Sequence, residues 1–300
     1  MDANERPAVG FVGLGNMGGN MAARFLEAGY TVYGEARVRD RAQWLIDQGL
    51  RWCETPRALA EAADLVVTSI PDDDALEAVA AGDDGLLAGL GAGQVWADMS
   101  TVSPRASRAM AERVRAQGAE LLDAPVSGSV PQVQAGTLTI MVGGDEAAYA
   151  KAEPALGLLG TPTRIGANGQ GLVLKLAINI SLAVQMLAFS EGLVLAERQG
   201  VDPRVAAEVM ASSPIGSPML KARVPLVLDL PEEAWFAVGL MHKDIRLARA
   251  AGADVGAQLP TAGVADEALT RAGELGYEHR DIAALREVLE RLADAPLGAG

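Results

Sequence analysis

Three hundred residues, half of them hydrophobic and 21% charged, make a globular chain of about two domains at roughly 150 residues each. Disorder and collagen are excluded by that composition. The 25 Lys and Arg stand against 39 Asp and Glu for a net charge of −14, so the mean field repels phosphate backbones and anionic headgroups, and no nucleic-acid or membrane partner is expected. A lone cysteine, Cys53, precludes an internal disulfide, and with only His242 and His279 beside it no metal site is expected. Met1–Pro7 lacks the basic-then-apolar pattern of a secretory signal, which leads to the expectation of a cytoplasmic protein.

The first half alternates short apolar runs with helical stretches, the pattern of βαβ units and a parallel sheet. Strands are expected at Ala8–Val12, Thr31–Tyr33, Leu65–Ile70, Val95–Met99, Glu120–Asp123, Leu138–Val142 and Thr163–Ile165, with a helix from Met17 to Ala28 that Gly29 stops. From Leu172 to about Gln199 helical spacing takes over, and Gly200, Asp202 and Pro203 supply a stop and a new start. Within it, Leu176–Ser190 carries no charge for 15 residues. That falls short of the roughly 18 a membrane span requires, and Asn179, Ser181 and Gln185 interrupt it, so a buried helix is the reading. The fold class is α/β: an N-terminal Rossmann-like doubly wound sheet over 1–167 and an all-helical C-terminal domain over 168–300, joined by a long helix. Ser212–Pro218 reads as an interhelical loop, and Pro296–Gly300 is expected to fray.

Gly13-Leu14-Gly15-Asn16-Met17-Gly18 fits GxGxxG directly after a strand and at the opening of a helix, where unpaired amides and the helix dipole suit a pyrophosphate. At the end of the second strand an acid would bond the ribose of NAD, whereas an arginine pairs with the 2′-phosphate of NADP. Here Glu35 is followed by Arg37, Arg39 and Arg41, a local excess of positive charge that favours NADP through Arg37 and keeps NAD open. Ile70, Pro71, Ser100 and Thr101 end strands at the carboxyl edge, where such sheets bind ligands. Asp72–Asp74 reads as the acidic first turn of a helix. Ser127-Gly128-Ser129 offers successive amides and a hydroxyl for a carboxylate. Lys175 and Asn179 lie one turn apart on an otherwise apolar helix, so both reach one oxygen.

These residues, in order, resemble the β-hydroxyacid dehydrogenase family, the group that includes 3-hydroxyisobutyrate dehydrogenase and tartronate semialdehyde reductase. The resemblance rests on Gly10–Gly18, on Asp123-Ala124-Pro125-Val126-Ser127-Gly128-Ser129, on Gly169-Gln170-Gly171 with Lys175 and Asn179, and on Lys243-Asp244 after Phe236. A further segment, Asp98-Met99-Ser100-Thr101 with Pro104, resembles the family's cofactor side, and the likeness spans about residues 8 to 290. It implies a hydride transfer between nicotinamide and a short β-hydroxyacid or semialdehyde. In that reading Lys175 is general acid and base, Asn179 and Ser127 join it as catalytic residues, and Ser127, Gly128 and Ser129 hold the substrate carboxylate. Lys243 closes over the nicotinamide end, and Asp244 supports it. The free lysine pKa near 10.4 is high for this work; burial and a cationic ring would lower it. Many members carry glycine where this chain has Ser129. Imine reductases share the fold but usually replace the lysine, and 6-phosphogluconate dehydrogenase has a histidine where this chain has Ile178. A non-catalytic NADP-binding module is the alternative from another class. The apolar helix needs cover, so a homodimer or homotetramer is expected.

Overall fold

In the computed structural model, which describes residues 6–294, the chain divides into two compact units, Met1–Lys175 and Leu176–Gly300. The first begins with β1 (Val9–Val12), α1 (Asn16–Glu27) and β2 (Val32–Glu35), and continues through α2 (Gln43–Asp47), β3 (Arg51–Trp52), α3 (Pro56–Ala62) and β4 (Leu65–Thr68). There follow α4 (Asp73–Ala80), α5 (Leu86–Gly89), β5 (Val95–Asp98), α6 (Pro104–Ala116) and β6 (Glu120–Asp123). After them come β7 (Val126–Ser127), α7 (Val130–Ala135), β8 (Leu138–Gly143), α8 (Glu146–Leu156) and β9 (Gly160–Gly166). The sheet order is β3-β2-β1-β4-β5-β6-β8-β7, with β9 beside β8. Its first six positions are parallel neighbours in the order of a doubly wound dinucleotide fold.

Successive residues of one strand face opposite sides of the sheet, and here both sides are filled. Phe11, Val67, Ala97 and Leu122 enter one core with Met21 and Phe25 of α1. Their strand neighbours Val12, Val66, Trp96 and Leu121 enter the other with Leu59 of α3 and Met110 of α6. Central strands therefore read as unbroken apolar runs, and each large side chain so buried contributes roughly 1.5–3 kcal/mol. Two strands escape the sequence reading, β3 and β7, each only two residues long. The sheet is also not wholly parallel, because β8 runs antiparallel to β6 and β7. Apolar periodicity carries no information about strand direction.

The second unit is helical. The 29-residue α9 (Gln170–Arg198) opens in the first unit and runs into the second, followed by α10 (Pro203–Ser212), α11 (Pro218–Leu228), α12 (Val238–Asp254), α13 (Pro260–Glu274) and α14 (Leu285–Asp294). By length and composition α9 is apolar enough to cross a membrane, at a mean hydropathy of 1.9. In the structure its Ala183, Met186, Leu187, Phe189 and Leu193 instead form the core of the helical unit with Met241, Ile245 and Leu269. Residues 212–218 join α10 to α11 as the loop expected there. The expected fraying of 296–300 falls outside the described residues.

One ion pair is sealed inside this unit. Arg223 of α11 donates to Asp281 Oδ1 at 2.7 Å, and the two side chains are 8% and 0% exposed. Asp281 also accepts from the Phe236 and Ala283 amides at 2.9 and 3.0 Å, which fixes the approach to α12. Removing one partner leaves a buried charge uncompensated. Arg223→Met is expected to cost about 3–5 kcal/mol in urea unfolding, whereas Arg271→Met, in an exposed pair with Glu274, should change it by less than about 1 kcal/mol.

Candidate active site

The glycine turn after β1 has the three features a dinucleotide needs. Gly13 has φ +89°, and a Cβ there would lie 2.3 Å from the Ser69 carbonyl oxygen. At Gly18 a Cβ would lie 2.0 Å from the Gly13 carbonyl oxygen, so the helix packs on the turn only as glycine. A Cβ on Gly15 meets nothing within 4 Å. Gly15 is the exposed N-cap of α1 and brings no capping side chain, so first-turn amides remain for an anion. Leu14 is buried beneath the turn, Asn16 is exposed and Met17 half-buried. These residues fit a pyrophosphate.

Along the same carboxyl edge, Ile70 N–H donates to Ser100 Oγ at 3.0 Å, joining the loops after β4 and β5. A buried relay supports them: Trp96 Nε1 donates to Thr68 Oγ1 at 2.9 Å, Thr68 donates to Asp98 Oδ1 at 2.7 Å, and the Ser100 amide donates to the same oxygen at 3.2 Å. Pro71 is exposed and Thr101 half-buried. Asp72 caps α4 through the Ala75 amide at 2.8 Å, and Asp73 accepts from the Ser103 amide at 2.7 Å. Glu35 ends β2, half-buried, and burial raises its pKa. Arg37 is exposed two residues on, while Arg39 lies over the Trp52 ring and pairs with Glu54.

The Ser127 loop differs from expectation in one bond. Gly128 has φ +134° and Ser127 is half-buried at the end of β7. The Ser129 amide, expected as part of the carboxylate nest, donates instead to Gln132 Oε1 at 2.9 Å. The Ser129 hydroxyl donates to the same oxygen at 3.1 Å. Ser129 is the N-cap of α7, and Ser-x-x-Gln is a capping-box spacing that was visible in the sequence.

Asp123, the last residue of β6, is fully buried. Its Oδ1 accepts from the Gly169 amide at 2.7 Å and its Oδ2 from the Leu172 amide at 3.1 Å, so it holds the mouth of α9. Burial pushes its carboxyl up to about 7, against the downward pull of those bonds. Lys175 follows on the same helix at 8% exposure, and Asn179 one turn later is fully buried. In the helical unit Asn179 Nδ2 donates to Asp244 Oδ2 at 2.6 Å, and Lys243 Nζ lies 3.0 Å from Asp244 Oδ1. The structure thus brings Asn179, Asp244 and Lys243 together. Asn179 Oδ1 is buried with no hydrogen-bond partner among the described residues. His242 bonds Asp266 and Thr270 at 3.0 and 3.2 Å, and His279 is exposed.

A largely parallel sheet with this glycine turn at its carboxyl edge defines a dinucleotide-binding protein. The profile of the NAD binding domain of 6-phosphogluconate dehydrogenase matches residues 8–169, and that of the NAD-binding domain of NADP-dependent 3-hydroxyisobutyrate dehydrogenase matches 169–289. The 2-(hydroxymethyl)glutarate dehydrogenase of Eubacterium barkeri is 33% identical over 97% of this chain and 98% of its own. The 3-hydroxyisobutyrate dehydrogenase of Pseudomonas aeruginosa is 35% identical over 91% and 95%. Among solved structures, Psf3 in complex with NADP+ and 2-OPP superposes with a TM-score of 0.86 at 28% identity, covering 94% of this chain and 99% of that one. The chain belongs to the β-hydroxyacid dehydrogenase family, and it is an NAD(P)-dependent oxidoreductase acting on CH–OH groups.

The glycines separate folding from binding. Gly15→Ala is expected to leave the melting temperature of the free protein unchanged and to weaken dinucleotide binding by about tenfold or more, since only the ligand would meet the new methyl. Gly18→Ala should lower the melting temperature itself. Scanning fluorimetry and titration calorimetry on both variants read the two effects apart.

Proposed function

We propose that the protein is an NADP-preferring enzyme that moves a hydride between nicotinamide and a short β-hydroxyacid or semialdehyde. A dinucleotide bound at the glycine turn supplies the nicotinamide carbon that gives or takes the hydride. Gly13, Leu14, Gly15, Asn16, Met17 and Gly18 would hold the pyrophosphate, Ile70, Pro71 and Thr101 would line the cofactor, and Lys243 is assigned to the cofactor's nicotinamide end by the family resemblance. Arg37 pairs with a 2′-phosphate.

In the reducing direction Lys175 gives a proton to the carbonyl oxygen; in the oxidising direction it takes the proton back from the hydroxyl. Asn179 orients that oxygen, and Asp244 fixes Asn179. Ser127 Oγ and the Gly128 amide hold the carboxylate, with Ser129 shaping the loop through its bonds to Gln132. One observation carries this reading: a buried lysine one turn from a buried asparagine whose Oδ1 has no partner among the described residues. A buried unsatisfied acceptor costs about 1–3 kcal/mol, which marks Asn179 as a side chain kept for a ligand rather than for packing.

We also propose that the chain works as a homodimer or homotetramer. Leu195, Val205, Val209 and Ile215 are each more than half exposed on the helical unit, a density of apolar surface suited to burial against another copy.

Initial rates of NADPH and NADH oxidation against succinic, tartronate and methylmalonate semialdehydes, glyoxylate and a cyclic imine test the assignment. Turnover of a carboxylated aldehyde with NADPH is expected; activity on the imine alone would point to an imine reductase, and tight cofactor binding without turnover to a binding module. Lys175→Ala should reduce kcat by about 10²–10⁴ with NADPH affinity unchanged, and retained turnover would sink the mechanism. Arg37→Ala should weaken NADPH by about tenfold or more and leave NADH unchanged. Light scattering that finds only a monomer would overturn the assembly.

A further inference from the structure

The motif residue Asp123 has no part in the reaction as proposed, yet its surroundings are built around it. It ends β6, four residues before Ser127, and receives the Gly169 and Leu172 amides at 2.7 and 3.1 Å. Leu172 precedes Lys175 by less than one helical turn. Two glycines make room for the carboxylate. A Cβ at Gly143 would lie 2.6 Å from both Asp123 oxygens, and one at Gly171 would lie 2.9 Å from Oδ2. Gly169 turns the chain into the helix with φ +85°. A side chain at 143 or 171 would push the helix mouth away from β6.

We infer that Asp123 is a positioning residue: it ties the strand that leads to Ser127 to the first turns of the helix that carries Lys175, so that the substrate's carboxylate and its oxygen are held in one frame. The inference rests on the function proposed above. Each carboxyl oxygen accepts one amide, and the ionised carboxylate is the stronger acceptor for both, since protonation turns one oxygen into a weaker one that also carries a donor.

Ionisation is the costly state of this group. Burial, with a smaller contribution from the like charge of Asp98 on β5, lifts Asp123 from an ordinary 3.8 to about 7. The other charged groups near the helix mouth are engaged or peripheral. From α6, Arg115 donates to Asn168 Oδ1 at 3.1 Å and Arg108 lies against Gly169. Arg164 of β9 donates to the Gly144 carbonyl at 3.3 Å, Asp145 caps α8, and Lys175 lies on α9 itself. The folded value lies above the unfolded one, so the contribution of Asp123 to stability is greatest below about pH 4, falls as the pH rises to about 7, and is flat beyond. In the folded protein the carboxylate forms around pH 7, so the alignment of α9, and turnover with it, improves there, where most of the stability contribution has already been lost.

The test is steady-state reduction of a semialdehyde by the NADPH-saturated enzyme from pH 5.5 to 9, for wild type, Asp123→Asn, Asn168→Ala and Lys175→Ala. Asp123→Asn is expected to lower kcat about 10- to 100-fold with the NADPH dissociation constant unchanged, and to lose the acid limb near pH 7 that wild type shows. Asn168→Ala removes a neighbouring tether, the 2.7 Å bond to the Leu121 carbonyl. It should lower the melting temperature while keeping the acid limb and a kcat within about twofold of wild type. If Asp123→Asn keeps full kcat, or if wild type shows no acid limb in this direction, the positioning role is overturned. Where the asparagine variant fails to fold, the wild-type profile decides alone. An active Lys175→Ala refutes the functional reading itself; an inactive one beside a fully active Asp123→Asn refutes only the role of Asp123.

Discussion

Hydrocarbon covers both faces of the sheet in the first unit, and that constraint decides where its chemistry lies. Phe11 and Val12, Val66 and Val67, Trp96 and Ala97, Leu121 and Leu122 each send one side chain to either core. No charged group can stand on those faces without a partner, because removing it from water costs several kcal/mol. Polar residues are left with the ends of the strands. At the carboxyl ends the chain turns into helices whose first amides have no backbone acceptors, so donors accumulate where the apolar cover stops. The glycine turn after β1, the Ile70 and Ser100 loops, the Ser127 loop and the mouth of α9 all obey this one rule.

Two groups of buried polar side chains beneath that edge are tied to backbone or to one another. Trp96, Thr68, Asp98 and the Ser100 amide form one chain of bonds, and Asp123 with two amides forms another. Both end at the carboxyl edge of the sheet, in the Ser100 loop and at the mouth of α9, so rigidity generated in the core is passed to the edge. In the helical unit, Asp281 holds Phe236 while Asp244 holds Asn179. Buried carboxylates accepting from backbone or amide donors recur throughout this chain as its means of fixing a loop or a side chain in place.

What the sequence discloses follows from which forces are local. GxGxxG, the strand–helix alternation and the length of α9 are properties of contiguous segments, and periodicity reads them correctly. Strand direction is not local. The antiparallel placement of β8 against β6 and β7 depends on where the chain is led by α7 and its capping residues, so a pattern of alternating apolar runs reads as parallel throughout. The two-residue strands β3 and β7 are too short to carry a period. In the site, the Ser129 amide read as part of the carboxylate nest is instead bonded to Gln132, a loss that the Ser-x-x-Gln spacing carries but that the reading of the motif passed over. The partners of Asp123 lie 46 and 49 residues away in sequence. No spacing rule reaches that far, and the residue showed only as one letter of a motif.

A net charge of −14 opposes the approach of an anionic dinucleotide, yet the geometry removes the conflict. Surface charges act through water and salt, which damp them over about 8 Å at physiological ionic strength. Donors at the glycine turn act at hydrogen-bond distance, and being backbone amides they add no formal charge that a neighbouring acid could neutralise. Glycine permits this because an amide presented without a side chain can be approached closely, as the open space beside Gly15 shows. Net charge then governs solubility and the rejection of large polyanions, while recognition of small anions rests on a handful of oriented dipoles. A phosphate standing outside an amide-lined turn is met more efficiently by a cation than by a dipole, which is the ground on which the exposed Arg37 is proposed above as a cofactor contact.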